Sequence, residues 1–187
     1  VWFKHRNGTT SHILSDSASG ITKHLSSDTT AAQVSPTYPY ISSLQNNGFL
    51  LRGGTSSGGN VSGRDYASWN FRKAEGFFDI VTYTGNGSAR TIAHSLGSVP
   101  GMIIIKDLTT THEWSVYHRD IGNTKNLRLN NSDSISTSIY FWNDTSPTAS
   151  VFTVGTGSYV NTNGNSYVAY VFAGGESTAA TARSCIF

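Results

Sequence analysis

Six histidines, eleven carboxylates and four tryptophans carry most of the chemistry open to this chain. His5, His12, His24, His94, His112 and His118 lie in separate segments. None forms the HxH or HExxH spacing that sets two imidazoles on one ion, so no metal ligand is assigned. His118-Arg119-Asp120 has the order of a protein-kinase catalytic-loop triplet, but the asparagine that this chemistry needs would fall at Lys125. It reads instead as a polar strand end. The Gly53–Gly63 run lacks the Gly-Lys-Ser/Thr ending of a phosphate-binding loop and reads as a flexible connection. Asp16, Asp28, Asp65, Asp133 and Asp144 sit beside turn signals and read as solvated turn residues, although paired carboxylates for glycoside hydrolysis can converge from distant strands. The single cysteine, Cys185, excludes an intrachain disulfide framework and a CxxC zinc site. No catalytic residue, metal or cofactor is assigned.

The aromatic residues remain. Trp2, Trp69, Trp114 and Trp142 fall on or at the ends of strand-like segments. Trp142 adjoins Asn143-Asp144 at a turn, and an exposed indole there would stack on a sugar ring while its neighbours bond the hydroxyls. Trp142, Asn143 and Asp144 are therefore the candidate glycan contact, with packing in a core or interface as the alternative.

The elements that must position these groups are strands. Gly, Ser, Thr, Asn and aromatics are abundant, charged residues make up 13%, and no window shows a helical period. Turn signals recur every ~8–12 residues, as in a sandwich or barrel. Phe77–Tyr83, Thr84–Ser88 and the following residues predict a strand, a tight turn and a second strand, with Met102–Ile105 as a buried strand. Tyr66–Phe71, Ile139–Trp142, Val151–Val154 and Tyr167–Phe172 are further expected strands; the last is apolar on both alternating sets and should be covered on both faces. A net charge of +2 without clustered Lys and Arg argues against nucleic acid, and no apolar run approaches the ~20 residues of a membrane span.

An internal repeat sets the architecture. Val1–Lys4 aligns with Ile103–Lys106, and Gly20–Leu25 with Gly122–Leu127, both at an offset of 102; Ser62–Phe71 aligns with Asn163–Phe172 at 101. The expected organisation is all-β, in antiparallel sandwich modules with little or no helix. An incomplete unit would occupy 1–75, a complete unit of about seven strands 76–175, and a linker toward a following domain 176–187. The first unit lacks a counterpart of Phe77–Ala93 and should present an open sheet edge or borrow strands from a partner. Opening on Val1-Trp2-Phe3, the chain is expected to be a piece of a longer protein.

Phe78–Asp107, Glu113–Asp120, Gly122–Asn130, Tyr140–Gly155 and Asn163–Gly175 together resemble a repeat domain of structural and tail-fibre proteins of marine tailed phages, notably cyanophages and pelagiphages. Val1–Ala31 resembles the segment that commonly precedes that repeat, and Gly174–Ser184 resembles the entry to a laminin-G-like, concanavalin-type domain. The resemblance implies a non-enzymatic virion component at the particle surface: a tail-fibre, head-fibre or decoration module. Its partners would be other virion proteins, further copies of itself (a homotrimer) and host-surface glycans. The alternative is a carbohydrate-binding module of a bacterial surface protein or of a polysaccharide-degrading enzyme.

Overall fold

The structure, a computed structural model, describes residues 1–37, 40–52 and 59–175. The chain is all-β, in antiparallel sheets with two one-turn helices, and divides into two compact units, Val1–Phe71 and Arg72 onward. Pro39, Cys185 and the expected linker at 176–187 lie outside the described residues.

In the first unit, β1 (Trp2–His5), β2 (Ile13–Leu14), β3 (Leu25–Ser26) and β6 (Tyr66–Trp69) form a sheet in the order β3-β2-β1-β6. A separate hairpin joins β4 (Ile41–Gln45) to β5 (Gly48–Leu51) through Asn46-Asn47. Phe3, Ile13 and Ile41 are its buried apolar centre, flanked by Val1, Tyr40, Leu51 and Tyr66. Among the described residues β6 is an outer strand, so the expected open edge is present there. Trp69, aligned with the buried Tyr170, is 52% exposed at that edge, against the core role its alignment suggests. Its ring leans on Trp2, 5.9 Å away. Among the described residues no neighbouring strand covers it, and the aligned positions therefore differ in burial.

The second unit contains β7 (Phe78–Thr84), β8 (Arg90–Ala93), β9 (Pro100–Asp107), β10 (Ser115–His118), β11 (Lys125–Arg128), β12 (Ser136–Thr137), β13 (Val151–Val154) and β14 (Ser166–Ala173). Six of them form a sheet in the order β12-β11-β10-β9-β14-β7, and β8 pairs with β13 apart from it. The face carrying Ile103, Ile105, Tyr117, Tyr167, Ala169 and Val171 packs with Ile92, Phe152 and Val154 of the smaller sheet. Tyr167 to Val171 are all buried, so β14 is covered on both faces within the single chain and needs no subunit for that purpose.

Two local expectations are corrected. β7 and β8 do not form a hairpin; β7 pairs with β14 and β8 with β13. The 85–88 segment is tied elsewhere: Asn161 Oδ1 accepts from the Asn86 amide at 2.9 Å, and the Gly164 amide donates to the Gly85 carbonyl at 2.9 Å. A Cβ on Gly85 would stand 2.1 Å from the Thr162 carbonyl oxygen, so glycine serves this close approach rather than a tight turn. Ile139–Trp142 is a helical turn, not a strand (α1). Ser138 Oγ accepts from the Tyr140 amide, and Asn143 closes the turn at φ 51°. A second such turn, α2, spans Ser158–Asn161.

The two large sheets repeat one register. Trp2 pairs with Trp69 and Leu14 as Ile104 pairs with Tyr170 and Val116. Leu14 faces Leu25 as Val116 faces Leu127, and the His24–Val34 bridge matches Asn126 facing Ser136. The Tyr66 hydroxyl accepts from the Val61 amide as the Tyr167 hydroxyl accepts from the Thr162 amide. A one-residue slip would turn every inward side chain outward, so this agreement identifies the same sheet built twice.

Candidate functional site

Trp142 is 2% exposed. Its ring meets Tyr117 edge-on at 5.7 Å, and its Nε1–H donates to the Lys125 carbonyl at 3.0 Å. The exposed indole on which the sugar-stacking expectation rests is therefore absent. The helical turn, unforeseen in sequence, rotates Phe141 and Trp142 together into the core. Asn143 is half-buried at the end of the turn and Asp144 is exposed; the three do not share a binding surface.

The second unit concentrates its polar chemistry around Asp107, a fully buried carboxylate at the end of β9. Oδ1 accepts from the amides of Thr109 and Thr110 at 2.7 and 3.0 Å. Oδ2 accepts from Thr110 Oγ1 at 2.9 Å and Asn165 Nδ2 at 2.8 Å, and faces His112 Nδ1 at 3.0 Å. Burial alone would raise this carboxyl; the bonds from Asn165, Thr110, His112 and Thr109 outweigh it and hold the group below its ordinary value. Tyr159 of α2 lies over this cluster, 5.1 Å from the His112 ring and under the Arg128 guanidinium at 4.9 Å. Arg128 is also ion-paired with Glu113. With both oxygens of Asp107 occupied by donors of the same chain, the cluster is a structural node.

Lys106, beside it, is fully buried and donates to the Asp107 carbonyl at 2.9 Å. Burial lowers its pKa to about 8. The unfolded chain therefore holds a proton that the native state sheds between about pH 8 and 10.5, so stability rises with pH across that window. Above roughly pH 10, tyrosine ionisation in the unfolded chain opposes the gain, because burial pushes the Tyr83 and Tyr167 hydroxyls up. Lys106→Met is expected to raise stability at pH 7 by on the order of 2–3 kcal/mol, with the advantage shrinking toward pH 10. Urea midpoints at pH 7 and 10 check this, and an equal effect at both values contradicts it.

The first unit places a different arrangement at the same part of its sheet. Phe3, His5, His24, Tyr40, Arg64 and Tyr66 line a cleft of about 400 Å³, together with Thr9, Thr10, Ser11 and Ser26. Volumes of roughly 300–1,000 Å³ suit small-molecule ligands. His5 is 8% exposed, packs 5.5 Å from the Tyr66 ring, and neither of its ring nitrogens has a hydrogen-bond partner. His24 meets Tyr40 edge-on at 4.7 Å, and its Nδ1 is likewise buried without a partner. Burial lowers the His24 pKa, which favours the neutral ring. Two imidazoles with unpaired buried nitrogens therefore stand on one cleft. Sequence reasoning missed this site because its residues come from five separate segments. The signal available was the repeat itself, which sets His5 on Asp107 and Arg64 on Asn165.

Among the described residues, no group of three or more His, Cys, Asp or Glu is placed to hold a metal ion, and no helix is long and apolar enough to cross a membrane. No curated protein and no solved structure matches the chain. A family model described as a domain of unknown function, DUF7483, matches residues 1–180, across both units, and the chain belongs to that family.

Proposed function

We propose that this chain is a non-enzymatic structural module of a tailed-phage virion, part of a tail fibre, head fibre or decoration protein at the particle surface, and that it adheres to host-surface glycans. The observation that carries the reading is the tandem use of one sheet design in one register, a construction suited to extended structural proteins. The resemblance of Phe78–Gly175 to repeat domains of marine phage structural proteins supports the assignment. The outer strand β6, with Trp69 exposed, offers an edge to a neighbouring copy, and the proposed assembly is a homotrimer with other virion proteins as further partners.

Light scattering on the purified chain tests the assembly: a trimeric mass is expected, and a monodisperse monomer overturns the fibre reading. Antibodies raised against the chain should decorate intact particles. Depolymerisation of host surface polysaccharide by the purified chain would refute the non-enzymatic assignment. The cleft of the first unit separately favours a second reading, a carbohydrate-binding module of a bacterial surface protein or of a polysaccharide-degrading enzyme.

A further inference from the structure

We propose that the cleft of the first unit is a saccharide site that takes a pyranose ring bearing a carboxylate. This deepens the adhesive half of the function proposed above and rests on it. The argument comes from comparing the two copies of the sheet. By the shared register, His5 stands where the second unit has Asp107, and Ser26 where it has Arg128. The sequence offsets likewise set Thr10 on His112, Ser11 on Glu113 and Arg64 on Asn165.

In the second unit this region is occupied by the protein's own groups. The Tyr159 ring lies against His112 and Arg128, the positions that Thr10 and Ser26 hold in the first unit. Asp107 and Glu113 supply negative charge beside it. The described lining of the first cleft carries His5, His24 and Arg64 and no carboxylate. Relative to its twin, the described lining of the first unit therefore lacks negative charge.

The walls decide what kind of ring fits. Thr9, Thr10, Ser11 and Ser26 line the cleft with His5 and His24, whose unpaired nitrogens are buried, and with the aromatic residues Phe3, Tyr40 and Tyr66. A phenyl ring would offer the His5 and His24 nitrogens no hydrogen-bond partner. A pyranose offers C–H faces to the aromatics and hydroxyls around its rim to the imidazoles and side-chain oxygens. A ring carboxylate adds a charge-assisted bond to Arg64.

The test titrates the full chain with the methyl glycosides of glucuronic and galacturonic acid and with their neutral parents, following the ring C–H resonances of His5 and His24 by NMR. A uronide is expected to shift both rings with millimolar or tighter affinity, and the neutral parent to bind roughly tenfold more weakly. Arg64→Gln should bring the uronide down to the neutral level. Ser26→Tyr, which supplies a ring from within, should abolish the shifts while the rest of the spectrum stays native. No shift by about 10 mM, equal binding of neutral and acidic sugars, shifts that survive Ser26→Tyr, or a response to a tyrosyl peptide instead of a glycoside would each overturn the assignment. Light scattering and particle labelling test the virion half without involving this cleft, so the two can fail separately.

Discussion

Asp107→Ala is expected to be the most damaging single substitution in the second unit, costing about 3–5 kcal/mol, the range for breaking a buried charged network by removing one partner. The carboxylate takes bonds from two backbone amides, a hydroxyl and an amide side chain, and faces His112 Nδ1. Its loss leaves those donors buried around a cavity. Asp107→Asn keeps the volume but turns an acceptor oxygen into a donor aimed at Asn165 and Thr110, so it should recover only part of the loss. The pH dependence separates a charge effect from a packing effect. Because the native carboxyl is held below its ordinary value, it contributes stability above pH ~4 that is lost as pH falls through the lower native pKa. Asp79, held down against its burial by Lys73 and by the Ser95 and Ile80 amides, contributes in the same direction. The wild type should therefore lose stability steeply in acid and the Asp107→Ala protein more shallowly, as read from denaturant midpoints between pH 7 and 3. Parallel acid profiles would show that the carboxylate's charge is not what the node depends on.

Trp142→Ala is expected to cost about 3–5 kcal/mol, the range for truncating a buried large aromatic. The indole packs on Tyr117 and belongs to the main core with Phe141, Phe152 and Val160. Its Nε1–H is also the partner of the Lys125 carbonyl. Trp142→Phe separates these contributions: it keeps most of the apolar area and orphans the carbonyl, at about 1–3 kcal/mol. Neither change should alter saccharide binding once measured at a temperature where the variant is folded. A Trp142→Ala protein of unchanged stability that had lost glycan binding would return this residue to the surface role that its sequence context suggests.

The all-β class was legible because strand patterning is local, and β9 and β14 were found from their apolar runs. Pairing was not legible. Thr84–Ser88 carries every turn signal of a hairpin, but the polar segment 161–165 captures its amides, and nothing local announces a partner so far along the chain. The helical turn at 139–142 was hidden for a related reason. Ile-Tyr-Phe-Trp favours extended structure, and a Ser138 cap with Asn143 in a left-handed conformation overrode that preference within one turn. The same misreading turned Trp142 outward. The cleft residues give no signal singly, because an isolated histidine or serine carries no information. The repeat was the one long-range signal in the sequence, and it places His5 and Arg64 on one sheet end by analogy with Asp107 and Asn165.

Register agreement at both ends of the repeat has a consequence for how such chains diversify. The frame strands are common to both units, while the stretch between the Val34 or Ser136 pairing and the returning strand is not. In one unit it forms the β4–β5 hairpin, and in the other α1, β13 and α2. The drop in offset from 102 to 101 shows that this stretch has also changed length without disturbing either junction. The sheet thus acts as a fixed mount, and the excursion as an exchangeable cassette whose contents decide whether the unit seals itself or opens a recess. A descendant could acquire a new recognition surface by rewriting one contiguous block of sequence, and a designer could attempt the same by grafting one excursion onto the other frame.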